Sequence, residues 1–380
     1  MHRLTFALII LLFLMTGNIR LDQFNRMFYN TPFRPDNAST KSKILINFHD
    51  SIPDDTLTIY FSNEKLPLAF SRAIHTPVCM DTLCRVVDII LYWEITGKYL
   101  GFSLPDGTEL TKKKHTPFTD SDYKRLNQIL SDSLSQLGFY TPAEIHPVKQ
   151  EVVKTDGITG ATIPDLQQWI VPEAAYSSYT LWHITYGQIR DTVVAYTKNH
   201  LLSNELIFNI LQSHDPYNQT KALQWISQTN GNKEQFIENA FQILKNGNYL
   251  SAGQALKFLK SCTTDQKRLQ KEVIQLLDDE DFRIKNLVIA YFNESVMLAP
   301  DVARELINRL KSENYYIVNV VLNILNKRYF PDYNDQQNLC LLLDSKNVNI
   351  ANRGYYFLLL LPNQSPYLLK QLNRYRRKNL

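Results

Sequence analysis

Val86-Val87-Asp88-Ile89-Ile90-Leu91-Tyr92-Trp93, followed after Glu94 to Lys98 by Tyr99-Leu100-Gly101-Phe102-Ser103-Leu104, is the stretch that decides how the first half of this chain folds. β-branched and aromatic residues dominate both runs and Gly97 sits in the short connection, so the stretch predicts a hairpin. Downstream, Tyr123, Leu126, Ile129, Leu130, Leu134 and Leu137 recur at helical spacing, and Thr119 or Asp120 can cap a helix over 120–137. Glu151-Val152-Val153 reads as a further strand, and 165–182 as a helix despite Pro172. Hairpin, helix, strand and helix together make an α+β domain, placed at 44–198.

Upstream of that domain, a short charged start (Met1-His2-Arg3) leads into an apolar run from Leu4 to Met15 and then Thr16-Gly17-Asn18. This is the pattern of a secretory signal, assigned to 1–17. The run is shorter than the roughly 20 residues of a spanning helix, so any membrane association would come through an uncleaved signal segment. Residues 18–43, with Pro32 and Pro35, read as a loose leader. The expected location is periplasmic, or otherwise extracytoplasmic. In such a compartment Cys79 and Cys84, a C-x4-C pair just before the hairpin, are expected to be oxidised. A loop that short is worth roughly 2 kcal/mol as a structural disulfide. A redox-active dithiol is the alternative.

Across 380 residues the chain is 44% hydrophobic and 21% charged, with a net charge of +4, enough for two or three domains. Apart from Lys112-Lys113-Lys114 and the tail Arg374 to Lys378, basic residues are spread along it, which argues against a nucleic-acid partner. His183, His200 and His214 lack metal-ligand spacing. No G-x-S-x-G, H-E-x-x-H or paired-carboxylate motif points to a hydrolase, so no catalytic residue is assigned.

Asp156-Gly157-Ile158-Thr159-Gly160-Ala161-Thr162 reads D-x-x-[ST]-G-A-T. Gly160 and Ala161 leave the hydroxyl of Thr162 sterically bare, while Asp156 and Thr159 can bond their own backbone and shape the turn. The same residues also fit a plain turn between a strand and a helix, with Thr162 near the N-cap. The motif resembles that of the FMN-binding domain family, found in subunits of the sodium-translocating NADH:quinone oxidoreductase and Rnf complexes. That resemblance covers little more than 86–183. It implies covalent FMN joined through its phosphate to Thr162 by a flavin transferase, with Asp156, Thr159, Gly160 and Ala161 forming the recognition turn. The chain departs from many members in carrying Ile163 and Pro164 where a second hydroxyl residue follows the acceptor. Trp169, Tyr176, Tyr179, Trp182 and Tyr186 follow the motif. They could stack on a flavin ring, although their helical spacing favours core packing.

The second half is periodic. Ile210-Leu211-Gln212-Ser213, Ile243-Leu244-Lys245-Asn246, Leu276-Leu277-Asp278-Asp279, Arg309-Leu310-Lys311-Ser312 and Leu342-Leu343-Asp344-Ser345 align at a 33-residue period, each followed by an apolar residue of a second helix (Leu223, Leu256, Ile289, Leu322, Tyr355). A two-helix unit of this kind resembles HEAT-like repeats, which predicts an all-α solenoid of about five repeats over 199–380. Cys262 and Cys340 fall at different repeat phases and read as buried thiols rather than a bonded pair. Two functions stay open. One is an exported flavoprotein in extracytoplasmic electron transfer, its repeats docking a redox partner protein or envelope complex. The other is a non-enzymatic exported adaptor whose FMN-binding-like domain no longer carries flavin.

Overall fold

The computed structural model describes residues 27–30, 33–48, 50–78, 85–145, 166–229, 231–294, 297–312, 314–326 and 328–379. The signal segment, Cys79, Cys84, the strand expected at Glu151 to Val153 and the whole Asp156–Thr162 motif lie outside the described residues. Contacts divide the chain into two units, up to Leu206 and from Ile207 onward.

The first unit is an antiparallel sheet with helices on one face. Its strands are β1 (Met27–Tyr29), β2 (Thr40–Leu45), β3 (Thr56–Phe61), β4 (Pro67–Thr76), β5 (Val87–Glu94) and β6 (Tyr99–Ser103), in the order β1-β6-β5-β4-β3-β2. β5 and β6 form the expected hairpin, closed by Glu94 N–H to Lys98 O at 2.7 Å, with Gly97 at φ +83°. Alternation divides the sheet's core. Ile89, Leu91 and Trp93 are fully buried, and the Trp93 indole donates to Thr185 O across 2.9 Å. Tyr92 points the other way and packs with Tyr60, Ala69 and Leu100 beneath Tyr29 and Phe33.

The leader is not loose from Met27 onward, because it supplies both edge strands, β1 and β2. In β1, Phe28 stacks on Tyr123 with ring centroids 5.3 Å apart, while Tyr29 meets Tyr92 edge-on from the opposite face. β1 lies so close to β6 that a Cβ on Gly101 (φ +150°) would fall 2.2 Å from Phe28 O. A three-residue strand beside Pro32 and Pro35 is too short to register as alternation.

Two helices also end earlier or start later than their periodicity suggests. α1 (Asp120–Ser131) opens on a capping box, in which Asp122 N–H donates to Thr119 Oγ1 and Thr119 N–H to Asp122 Oδ2. It stops at Asp132, whose extended backbone leaves Leu134 86% exposed, and Leu137 is buried from a separate 3-10 turn (Gln136–Phe139). A short α2 (Pro142–Ile145) follows. The helix expected over 165–182 is broken: Leu166–Trp169 is a 3-10 turn, Glu173 takes φ +61°, and α3 runs Ala175–Tyr186. Pro172 excludes the α conformation at the residue before it, and Val171 N–H is satisfied by the Ser178 hydroxyl instead. α4 (Gln188–Tyr196) and a π-turn (Thr197–Leu201) follow, and the unit ends at Leu206, inside the first turn of the next helix.

The second unit is helical: α5 (Asn204–Gln212), α6 (Pro216–Gln228), α7 (Ile237–Asn246), α8 (Tyr249–Cys262), α9 (Gln266–Gln275), α10 (Phe282–Asn293), α11 (Pro300–Arg309), α12 (Tyr315–Leu325), α13 (Tyr333–Cys340), α14 (Val348–Leu359) and α15 (Pro366–Asn379). α6, α8, α10, α12 and α14 pack in succession as one row, and α7, α9, α11, α13 and α15 as a second. Every helix of the first row is capped by a side chain (Asp215, Asn248, Asp281, Asn314, Asn347) that accepts from its first-turn N–H groups. Two buried glutamines clasp the loop entering the next helix of the second row. Gln270 donates to Met297 O and accepts from Ala299 N–H, and Gln336 donates to Asn363 O and accepts from Ser365 N–H. Cys262 and Cys340 are free thiols, half-buried and buried; burial pushes the Cys340 thiol up to about 11.

Candidate functional site

A cleft of about 430 Å³ opens in the first unit between the Asp50–Ile52 loop, the end of β4 at Thr76 and Pro77, one face of α3 and the first turn of α4. The loop is held by Arg72, a lone charge inside the apolar run of β4. Its guanidinium is fully buried, bonds Asp50 through both terminal nitrogens (2.5 and 3.0 Å) and donates from Nε to Asp54 O. It also lies 3.8 Å above the Phe48 ring. Burial alone would raise the Asp50 carboxyl, but the bonds from Arg72 and from Ile52 N–H outweigh it and hold the group below the usual carboxylate range.

On α3, Tyr179 and His183 are one turn apart and their rings lie 4.2 Å centroid to centroid. His183 Nε2 is 3.1 Å from Leu137 O. A carbonyl only accepts, so that nitrogen carries the proton and Nδ1 keeps a lone pair. Burial lowers the imidazole's pKa, opposed in part by the bond to Leu137, so the ring is neutral at pH 7. Trp182 stands edge-on to His183 at 5.1 Å and is fixed by its indole bond to Asp132 O. Tyr186 is anchored through its hydroxyl to Leu130 O at 2.6 Å. What the cleft offers is an aromatic pair, the Thr180 hydroxyl, a neutral imidazole and a carboxylate already neutralised by Arg72.

The aromatic residues that follow the sequence motif are therefore divided. Tyr179 helps wall the cleft, and Trp182 is packed with only 8% exposure. Trp169 sits in the 3-10 turn, off the helix that carries the others. Asp156, Thr159, Gly160, Ala161 and Thr162 lie outside the described residues, as do Cys79 and Cys84, so their geometry does not enter the site. The loop at Asp50 and the role of Arg72 escaped the sequence reading; the signal was a single arginine within Leu68-Ala69-Phe70-Ser71-Arg72-Ala73-Ile74. Among the described residues no group of three His, Cys, Asp or Glu could hold a metal, and no helix is long and apolar enough to cross a membrane. Comparison with protein-family models, with curated proteins and with solved structures finds no match to this chain.

Proposed function

We propose that this chain is an exported electron-transfer flavoprotein, with FMN joined to Thr162 and a helical-repeat region that docks its redox partner. The observation that carries the reading is the D-x-x-T-G-A-T stretch from Asp156 to Thr162, whose bare threonine suits attachment by a flavin transferase. Export rests on the apolar run from Leu4 to Met15. When bound, FMN would exchange electrons one or two at a time.

The first unit supports the reading with a cleft of suitable kind. Ligand pockets run to roughly 300–1,000 Å³ and are mainly apolar with a few placed polar groups, and about 430 Å³ walled by Tyr179, His183, Thr180 and Ile184 falls within that class. Tyr179 and His183 would pack against a flat ring, His183 Nδ1 would accept a hydrogen bond from it, and Arg72 would keep Asp50 from presenting an uncompensated charge. Repeats are supported by the helix starts at Pro216, Tyr249, Phe282, Tyr315 and Val348, which follow the 33-residue spacing of the sequence.

The test is to co-express the full chain with a flavin transferase, denature it, and record visible absorbance and intact mass. A yellow protein heavier by one FMN less water, reverting to colourless and unmodified in Thr162→Ala, is expected. A colourless wild-type chain at its unmodified mass refutes the flavin and leaves the adaptor reading.

A further inference from the structure

The α14 and α15 pair breaks the pattern of the pairs before it. At 33-residue intervals Leu244, Leu277, Leu310 and Leu343 are buried, and the next place in that series is Arg376. Phe241, Ile274, Ile307 and Cys340 are buried in the same way, and the next place is Asn373. Asn373 and Arg376 are both exposed and share a stripe of α15 with the exposed Leu369, at i, i+4 and i+7. That stripe is the outer one, because Arg374 reaches Asp344 and Tyr367 meets Tyr333, both on the side of the preceding helices, while Leu368, Leu372 and Tyr375 are buried. A charge and an amide where leucine and isoleucine stood exclude a further helix pair from stacking there, since burying them unpaired is too costly.

The outer face of such a pair is ordinarily kept soluble by polar side chains. Here the charge is of one sign. No Asp or Glu lies beyond Asp344. Asp344 is paired with Arg374, and Asp332 and Asp335 of the neighbouring α13 turn to Arg304. Among the described residues Lys370, Arg376, Arg377 and Lys378 have no ion-pair partner. The last three complement the helix dipole, but Lys370 lies near the opposite end of α15, where a cation gains nothing from it. Beside these cations stand large apolar side chains. Leu359 and Leu360 end α14 and Leu369 lies near the start of α15, so they fall at one end of the antiparallel pair, with Tyr356 a turn behind. All four are exposed, Leu360 by 75%. Leu359 follows Lys260, Asn293 and Asn326 in the 33-residue series, and Tyr356 follows Lys257, Ala290 and Asn323, so apolar bulk appears at places that are polar or small on the earlier helices.

We infer that the outer face of α14 and α15 rests on an anionic lipid surface. Lys370, Arg376, Arg377 and Lys378 meet the headgroup phosphates, and Tyr356, Leu359, Leu360 and Leu369 enter the interfacial layer; apolar burial and attraction to anionic lipid then add. Leu369 and Arg376, like Lys370 and Arg377, are two turns apart on one side of α15, about 10 Å along its axis, so a single flat surface touches the apolar and the basic end together. A polynucleotide is disfavoured because it offers the four apolar side chains no layer to enter. Attachment is peripheral, since no helix among the described residues is long and apolar enough to cross a membrane, and it runs through the helical unit rather than the signal segment. It goes beyond the docking role proposed for the repeats and is independent of the flavin.

The experiment uses the full chain and a form starting at Asn18, which keeps every described residue, with sucrose-loaded vesicles of phosphatidylcholine alone or with about one third phosphatidylglycerol. The Asn18 form should sediment with the anionic vesicles, saturably and less as salt rises, and bind phosphatidylcholine alone at least about tenfold more weakly. Arg377→Glu should weaken binding at least about tenfold and Leu360→Ser about threefold, both at exposed positions where circular dichroism confirms an unchanged fold. Lys245→Glu, the same change of charge on α7, and Thr162→Ala should stay within about twofold of the parent. No binding by the Asn18 form, equal binding to neutral vesicles, equal loss in Lys245→Glu, no loss in Arg377→Glu or in Leu360→Ser, or a single-stranded oligonucleotide or polyglutamate held as tightly as the anionic vesicles would each overturn the inference. A colourless chain that still sediments with anionic vesicles would refute the flavin and leave the lipid surface standing.

Discussion

Replacing Gln336 with leucine removes a buried clasp while nearly conserving volume, so its cost measures hydrogen bonding more than packing. Gln336 is 4% exposed; its Nε2 donates to Asn363 O at 2.7 Å and to Pro331 O at 3.2 Å, and its Oε1 accepts from Ser365 N–H at 2.9 Å. Leucine would leave one backbone donor and two carbonyls without this partner. A buried unsatisfied group costs about 1–3 kcal/mol, and the half-buried loop admits some water, so the expected loss is about 2–4 kcal/mol. For a unit of this size each kcal/mol moves the midpoint by about 2–4 °C, giving a fall of roughly 5–15 °C. Circular dichroism melts of the full chain give the midpoint, and amide exchange should place the lost protection in α13 and at the start of α15. The equivalent clasp at Gln270, with the same donor and acceptor sense, supplies an internal comparison, because the intervening Ala303 occupies the matching place on α11 with no such bond. Should Gln336→Leu melt within about 2 °C of the parent, the clasp contributes little and the reasoning fails.

Thr119→Ala breaks the capping box of α1 and should cost about 1 kcal/mol in urea unfolding. Gly101→Ala forces a Cβ against Phe28 O, so β1 must separate from β6; loss of amide protection at Phe28 and Tyr29 checks this. Asp50→Asn leaves the buried Arg72 charge with only the more distant Asp55 carboxylate, 3.9 Å away, and should destabilise by about 2–3 kcal/mol at pH 7. Because the Asp50 pKa is lowered by folding, its contribution is present above the ordinary carboxylate pKa of about 3.9 and is lost as pH falls through the depressed value, so the variant's stability curve should be flatter in that acid range. His183 is also depressed, by burial. Its contribution is full above about 6.5 and declines as the unfolded chain takes up a proton below that, and His183→Gln should remove this slope on the acid side of about 6.5.

The hairpin and the cap of α1 were legible because each rests on local chemistry: β-rich runs around Gly97, and Thr119 three residues before Asp122. The edge strands were not, since Met27-Phe28-Tyr29 gains its structure from Gly101 and Tyr92, far along the chain. Pro172 signals a break in the helical pattern, but where α3 starts is tied to Ser178 reaching back to Val171, a contact seven residues apart that periodicity does not reveal. The cleft lay beyond sequence reading for a similar reason, because Asp50, Thr76 and His183 converge only through the sheet and α3. In the helical unit the all-α character could be read from the sequence, whereas the direction of each side-chain amide depends on which donor stands behind it.

The two glutamine clasps are not evenly distributed. Gln270 fastens α9 to the entry of α11, and Gln336 fastens α13 to the entry of α15, while Ile237 and Ala303 leave the joints from α7 to α9 and from α11 to α13 without a clasp, the latter held by packing, by the Leu298 N–H to Arg328 O bond at 3.4 Å and by Arg304 against exposed Asp332 and buried Asp335. Pulled from its ends, the helical unit should part first at these two unclasped joints, leaving the α9–α11 and α13–α15 blocks to yield at higher force rather than a stack that peels one pair at a time.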